Sequence, residues 1–492
     1  MLIIKKLAVF VVLLAVQNAM ADETTDIRAK LEALQQQIQT LSAELHAMQE
    51  KLANTKEEKT ADQGQSKGEP VYASFKDGLV FGDGAGNWAM QVNGRIQADY
   101  HNIAPTEWKN DTFSVRRARL GGTFTSFKDF AVRVEGEFAN SNDGAKGTTA
   151  LTHGYMDYKH FPGANLRIGQ FKPIFGLERG ESTNFTDFTE LSLATTTGPV
   201  FNSTYDRGLM LFGAPFKGAY YNLSYVNGSG QNNDSPKDSK DLVGRFVANI
   251  ADWAEWKNTV VHLGASASKN QVESSSSPTA TNNTLSAYTE SNGLTSNTAG
   301  YTNTVATKFF SVDAFTGNVD KKRLGLETAL AYGPAKFQGE YIATDFNQDS
   351  AVRKSIDAWY ASVTWLITGE NYADAYKNGM FNRTYPKQNF SWGNPGVGAI
   401  ELGLRYSRFD ATDFKTVAGG CVAGTGCLVT PTATAAYTNK ANAWTAGAKW
   451  MLTPYARLML NYVRTSFDTP VTINSKSSSD EKATTLRAQY DF

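Results

Sequence analysis

Five arginines stand where period-two alternation puts them on the polar face of a strand: Arg95, Arg117, Arg119, Arg133 and Arg167. Arginine carries a permanent charge on a planar fork that suits bidentate contact with phosphate or carboxylate. At the waist of a channel with low-dielectric walls, such groups concentrate a positive field and draw anions. Near Arg116 the alternation is ambiguous. With Ala118, Leu120 and Phe124 outward, Arg117 and Arg119 face inward and Arg116 falls near a rim or bulge. Lys172 and Lys377 are further candidates for the same lining. The competing reading is that each cation pairs with an acid such as Asp99, Glu135 or Glu137 and only fills the interior.

Other chemistry is sparse. Cys421 and Cys427, in GGCVAGTGCLV, are the only cysteines. In an exported chain, a close pair in a Gly-rich segment predicts a disulfide; a metal site would need two more ligands, and no histidine is near. His46, His101, His153, His160 and His262 have no metal-ligand spacing. No nucleophile elbow, phosphate loop or paired-metal motif is present, so neither enzyme activity nor a cofactor is expected. Glu135 and Glu137 read as solvated wall carboxylates rather than as a catalytic acid pair.

The elements that must position these cations are strands. In the closing KATTLRAQYDF (482–492), Thr484, Leu486, Ala488, Tyr490 and Phe492 share one face, and Thr485, Arg487, Gln489 and Asp491 the other. That segment has about the length that crosses a bilayer at a tilt. The pattern recurs: Trp88, Met90, Val92, Ile96 and Ala98 oppose Gln91, Asn93, Arg95, Gln97 and Asp99, and 130–138, 221–225, 400–407 and 456–462 alternate likewise. Tight turns at 125–128, 161–163, 333–334 and 453–454, set against long polar stretches at 266–304 and 369–396, predict an up-and-down antiparallel sheet. About 16 spanning candidates lie in 88–492, an even number in the outer-membrane range. A soluble sandwich would also alternate, but it would not keep pairs such as Arg133 and Glu135 on the polar face of strand after strand. The expected fold is therefore an all-β, 16-stranded antiparallel transmembrane β-barrel over 87–492. Segment 176–206 is too long for a turn and is expected to fold inward; its charges, Glu178, Arg179, Glu181, Asp187, Glu190 and Asp206, are mostly acidic. Facing wall arginines, such a loop gives a transverse field as readily as an anion filter.

Residues 1–21 read as a secretory signal: Lys5 and Lys6, an apolar centre at 7–16, then Ala19-Met20-Ala21. Past residue 20 no apolar run reaches the roughly 18 residues of a membrane helix. Lysine plus arginine number 48 and aspartate plus glutamate 48, and losing Lys5 and Lys6 leaves the exported chain at −2, which removes any global charge argument for nucleic acid. Ile27, Leu31, Leu34, Ile38, Leu41, Leu45, Met48 and Leu52 alternate at spacings of four and three, a heptad seam over 22–53 that favours an α-helical, self-associating coiled coil over a lone packed helix. Residues 54–86 follow as a linker and N-terminal segment.

The barrel stretches resemble those of the phosphate-selective porin O and P family: VNGRIQADY (92–100), VRRARLGG (115–122), NLRIGQFKPIFGLE (165–178), VVHLG (260–264), TGE (368–370) and LRAQYDF (486–492). As an ordered set they cover nearly all of 88–492. The resemblance implies a homotrimer of 16-stranded outer-membrane barrels that passes small anions such as phosphate; the coiled coil of the exported chain is expected in the periplasm, within reach of the cell wall or a periplasmic partner. It also implies channel-lining roles for Arg95, Arg116, Arg117 and Arg167. One departure stands out. Where the family carries a ladder of arginines after its VVHLG-like strand, 265–307 holds only Lys269 as a cation, beside Glu273 and Glu290. That departure keeps open a general diffusion porin without oxyanion affinity; the coiled coil keeps open a second alternative, a structural tether that grips the cell wall or a periplasmic partner.

Overall fold

A computed structural model of the chain describes residues 71–492, except 76, 109–110, 140–148, 196–197, 199, 202, 234–238, 273–284, 292–306, 349–351 and 394, together with Gln36 and Thr40. The signal segment and the heptad seam lie outside the described residues.

Sixteen strands build the barrel. The first eight are β1 (Trp88–Ala104), β2 (Thr112–Ser126), β3 (Phe130–Glu137), β4 (Ala150–Phe161), β5 (Ala164–Phe171), β6 (Asp206–Gly213), β7 (Ala219–Val226) and β8 (Asp241–Asn249). The rest are β9 (Thr259–Val272), β10 (Val319–Tyr332), β11 (Ala335–Gln348), β12 (Val352–Leu366), β13 (Ala399–Asp410), β14 (Lys440–Met451), β15 (Ala456–Ile473) and β16 (Lys476–Asp491). Each pairs antiparallel with the next. The last returns to the first, from Lys482↔Ala104 to Asp491↔Arg95. Closure leaves no unpaired edge, a condition lipid imposes because it offers no hydrogen-bond partner. The C-terminal residue finishes the seam: Gly94 N–H donates to Phe492 O at 3.0 Å and Phe492 N–H to Gly94 O at 2.9 Å. Ahead of the barrel, a hairpin of Val71–Phe75 and Leu79–Asp83 pairs onto the start of β1.

Alternation assigns the two faces. On β16, Leu486 and Tyr490 are each 48% exposed, whereas Arg487 and Asp491 are 1% and 0% exposed. On β10, Leu324, Leu326 and Leu330 face out while Arg323 and Glu327 are buried. A charge on the lipid face at midplane costs roughly 2–4 kcal/mol, so a one-residue slip of any strand is strongly disfavoured. Tyr332, Trp365 and Trp256 are exposed beside the turns, where an aromatic girdle belongs.

The connections correct one expectation. Stretch 369–396 is not a long loop at the loop end. It follows an even-numbered strand, β12, and so lies at the end of the tight turns after β2, β4, β10 and β14. The other long stretch begins later than expected, because β9 runs to Val272 before its loop starts.

The bore is not an open tube. The β5–β6 loop (172–205), the β9–β10 loop and the β12–β13 turn all bury apolar groups inside it. Phe309, Phe310, Phe315, Phe346, Phe409 and Phe414 belong to one buried cluster; Leu177, Leu366, Tyr372, Phe381 and Met451 belong to another. Each buried large side chain contributes about 1.5–3 kcal/mol, enough to hold these segments against the wall.

Candidate functional site

The β5–β6 loop is held inside the barrel by its own acids. Its helical turn, Leu177–Gly180, presents backbone N–H groups to wall residue Glu340, which accepts from Leu177 at 2.9 Å, from Glu178 at 2.6 Å and from the Tyr360 hydroxyl at 2.8 Å. Gly176 enters that turn at φ 74°, the left-handed region that favours glycine, with the Glu340 carboxylate close to where a Cβ would sit. Glu178 accepts from Ser192, Thr195 and Arg405. The other arm of Arg405 meets Glu290 Oε2 at 2.7 Å; Glu290, inserted from the β9–β10 loop, also accepts from Leu193 N–H at 2.8 Å, from Thr445 at 2.7 Å and from Ser407. Lys336 meets Asp187 at 2.7 Å.

Most sequence-predicted cations are tied in the same way. Arg116 is the extra residue of a bulge, since Gln97 faces Arg117 and Ala98 faces Val115. It forks onto Glu190 at 2.7 and 2.9 Å. Glu190 also takes Arg487 at 2.7 Å and lies 3.8 Å from Arg117, whose Nη1 donates to Gln97 at 2.6 Å. Arg119 pairs with Glu137 at 2.6 Å and Glu135 at 3.3 Å; Arg133 pairs with Glu135 at 2.7 Å. Arg167 forks onto Asp157 at 2.7 and 2.9 Å and stacks 3.7 Å over Tyr155. Asp99, weighed as a partner for these residues, is instead held by Arg487 at 2.7 Å. Lys377 is exposed in the β12–β13 turn. In the β13–β14 loop, Cys421 and Cys427 form a disulfide with an Sγ–Sγ distance of 2.17 Å.

Among the described residues, Arg95, Lys172, Arg179 and Arg323 are buried or half-buried cations whose hydrogen bonds end on neutral oxygens. Arg95 donates to Thr183 Oγ1 at 2.8 Å and Asn184 Oδ1 at 2.6 Å. Lys172 Nζ donates to Glu181 O at 2.7 Å. Arg179 donates to Thr195 O at 3.0 Å and Ser203 O at 2.9 Å. Arg323 donates to Ser268 Oγ at 2.7 Å, Val200 O at 3.1 Å and Asn270 Oδ1 at 3.1 Å. Burial first, and then Arg179, Arg95 and Arg119, hold Lys172 down to about 7; burial and next Arg323 push Arg179 down to about 9. These groups therefore lie close enough to act as one positive field. Sequence reasoning counted Arg179 only as a loop charge and passed over Arg323. The signal was available: alternation across VDKKRLGLE, with Leu324 and Leu326 outward, turns Lys321 and Arg323 inward.

Residues 90–492 match the family described as phosphate-selective porin O and P. Porin O of Pseudomonas aeruginosa is 25% identical over 439 residues, spanning 86% of this chain and 93% of that protein. Among solved structures, an anion-selective porin from Comamonas acidovorans is 12% identical with a TM-score of 0.48, over 82% of this chain and 100% of that one. The outer membrane channel DcaP of Acinetobacter baumannii is 13% identical with a TM-score of 0.48, over 86% of this chain and 100% of that one. With the closed sixteen-stranded barrel and the family match over its whole length, the chain belongs to the phosphate-selective porin O and P family and is a porin of the outer membrane.

Proposed function

We propose that this porin passes small anions, phosphate-like oxyanions among them, in preference to cations, and that the preference comes from Arg95, Lys172, Arg179 and Arg323. The observation that carries this reading is that these four donate only to neutral oxygens among the described residues, so their charge is not cancelled at contact distance. Inside low-dielectric walls an uncancelled charge reaches a passing ion, whereas a contact pair presents little more than a dipole. Arg116, Arg117, Arg119, Arg133 and Arg167 serve in this proposal as lumenal scaffolding, each close to an acid. The zero-current potential of single channels across a potassium chloride gradient tests the proposal: anion preference is expected, and cation preference would refute it.

A second reading, general diffusion without oxyanion affinity, draws support from Glu290, which brings a carboxylate into the bore from a stretch where the family resemblance calls for arginines. Phosphate failing to reduce chloride current at millimolar concentration would favour it. The assembly we propose is three barrels, each its own pore, joined in the periplasm by the heptad helices of 22–53; sedimentation of 22–70 as a monomer or dimer would count against it.

A further inference from the structure

Two pairs of cations stand on the outer face of the barrel at its loop end, where alternation otherwise presents lipid-facing side chains. Lys269 of β9 and Lys322 of β10 are direct cross-strand partners, as are Arg464 of β15 and Lys482 of β16, and all four are exposed. Partners in register hold their Cβ atoms about 4.5–5.5 Å apart, where like charges repel. Snorkelling from the edge of the apolar belt accounts for single cations at this level. It gives no reason to set two opposite each other, and to do so twice. One cation of each pair has an acid at hand: Asp345 stands across from Lys322, and Asp480 meets Arg464 at 3.1 Å. The other has none across from it, since Lys269 faces Leu242 and Lys482 faces Ala104.

The strands fix the level of these pairs in the membrane. Lys322 stands ten residues along β10 from Tyr332 at the turn end, roughly 33 Å of strand, which a tilt of about 40° converts to a rise of about 25 Å. That is the height of the apolar band, so the pair sits at its outer edge. A second marker puts Arg464 and Lys482 at the same edge. Trp444, across from Arg464, closes a row of rings with Tyr406 at 4.9 Å and, beyond it, Trp359 at 5.3 Å from Tyr406, as an interfacial girdle does. Beneath the pairs, Leu324 and Leu326 on β10, Leu460 on β15 and Leu486 on β16 are all exposed. Cations directly above an outward apolar surface match a lipid with an anionic headgroup over acyl chains. In a bacterial outer membrane the long loops mark the leaflet whose glycolipid carries phosphate on its sugars. We infer that each pair clamps one phosphate of such a lipid, with an acyl chain laid over the leucines below. Two cations that repel each other across the strands become co-ligands of one phosphate. The clamps are independent of what the pore passes.

The test is native mass spectrometry of the full-length protein, delipidated in detergent and titrated with diphosphorylated lipid A, then with the same lipid stripped of both phosphates. Two diphosphorylated lipids should be retained per chain. The stripped lipid should need a concentration more than about tenfold higher, each basic residue near an anionic headgroup being worth roughly fivefold. Equal retention of the two lipids would overturn the inference, and this arm needs no variant. Lys269→Gln/Lys322→Gln and Arg464→Gln/Lys482→Gln should each lose one lipid, and the fourfold variant both. Lys217→Gln/Lys257→Gln makes the same charge change in exposed turn residues at the other end and should lose none. A loss in that control equal to the loss in the rim variants would reduce the effect to bulk charge and overturn the clamps, as would unchanged retention in the fourfold variant. Release of the lipid by millimolar inorganic phosphate would assign the pairs to a free anion and overturn the lipid as their occupant.

Discussion

The cations on β2 to β5 and the cations around the root of the β5–β6 loop face the same bore, yet the first group meets carboxylates at contact distance and the second donates to neutral oxygens. For Arg119, Arg167, Arg95 and Arg323 the difference is one of register. Arg119 stands across the sheet from Glu137, and Arg167 from Asp157, so each meets an acid at contact distance. Arg95 stands between Arg119 and Asp491, and Asp491 is already taken by Arg383 at 2.6 Å and Arg457 at 2.7 Å. Arg323 stands between Ser268 and Thr344, both neutral. The number of arginines in a porin sequence is therefore a poor guide to the charge an ion meets.

The largest effect should come from breaking the paired region. Glu190→Gln strips the shared carboxylate from Arg116, Arg117 and Arg487, and removing one side of a buried ion cluster typically costs about 3–5 kcal/mol. Denaturant unfolding, followed by the gel mobility of folded barrel, should shift accordingly; an unshifted midpoint would mean the cluster does not hold the loop. Next comes the unpaired region. Arg95→Gln should lower the anion-to-cation permeability ratio by roughly tenfold, the worth of one charge some 10 Å from the ion path at an effective dielectric near 20.

A change of the same sign should follow pH. Lys172, held down to about 7 and faced by Arg95, Arg119, Arg179, Glu181 and His153, loses its proton as pH rises through that value. Burial raises Glu181 to about 8, against the pull of Lys336, so it turns negative over the same interval. Both changes remove positive charge, so anion preference should fall between pH 6 and pH 8.5, and Lys172→Met should remove the part of that fall centred near pH 7. A preference that rises with pH would exclude Lys172 as the titrating group. The smallest effect is expected from deleting a whole pair: Arg167→Gln with Asp157→Asn should leave the permeability ratio within about twofold, because the removed unit carries no net charge.

The wall was legible in the sequence because its rule is local. Alternation over KATTLRAQYDF places Leu486 and Tyr490 in lipid and Arg487 and Asp491 in the bore without reference to any other strand. The fate of each arginine was not legible, since it depends on partners 74 residues away for Arg116 with Glu190 and 115 away for Arg405 with Glu290. No periodicity reports which inward loop meets which wall. The misplaced 369–396 segment is a different case. Counting strand parity would have put it at the turn end, since it follows the twelfth strand.

The central claim is that cations left unpaired around the β5–β6 loop, rather than the arginine content as a whole, set the selectivity. Zero-current potentials measured side by side for the native channel, Arg95→Gln/Lys172→Met and Arg167→Gln/Asp157→Asn test it most directly. The account predicts anion preference in the first, near loss of it in the second and little change in the third. Full preference surviving in Arg95→Gln/Lys172→Met, or vanishing in the pair deletion, would contradict it.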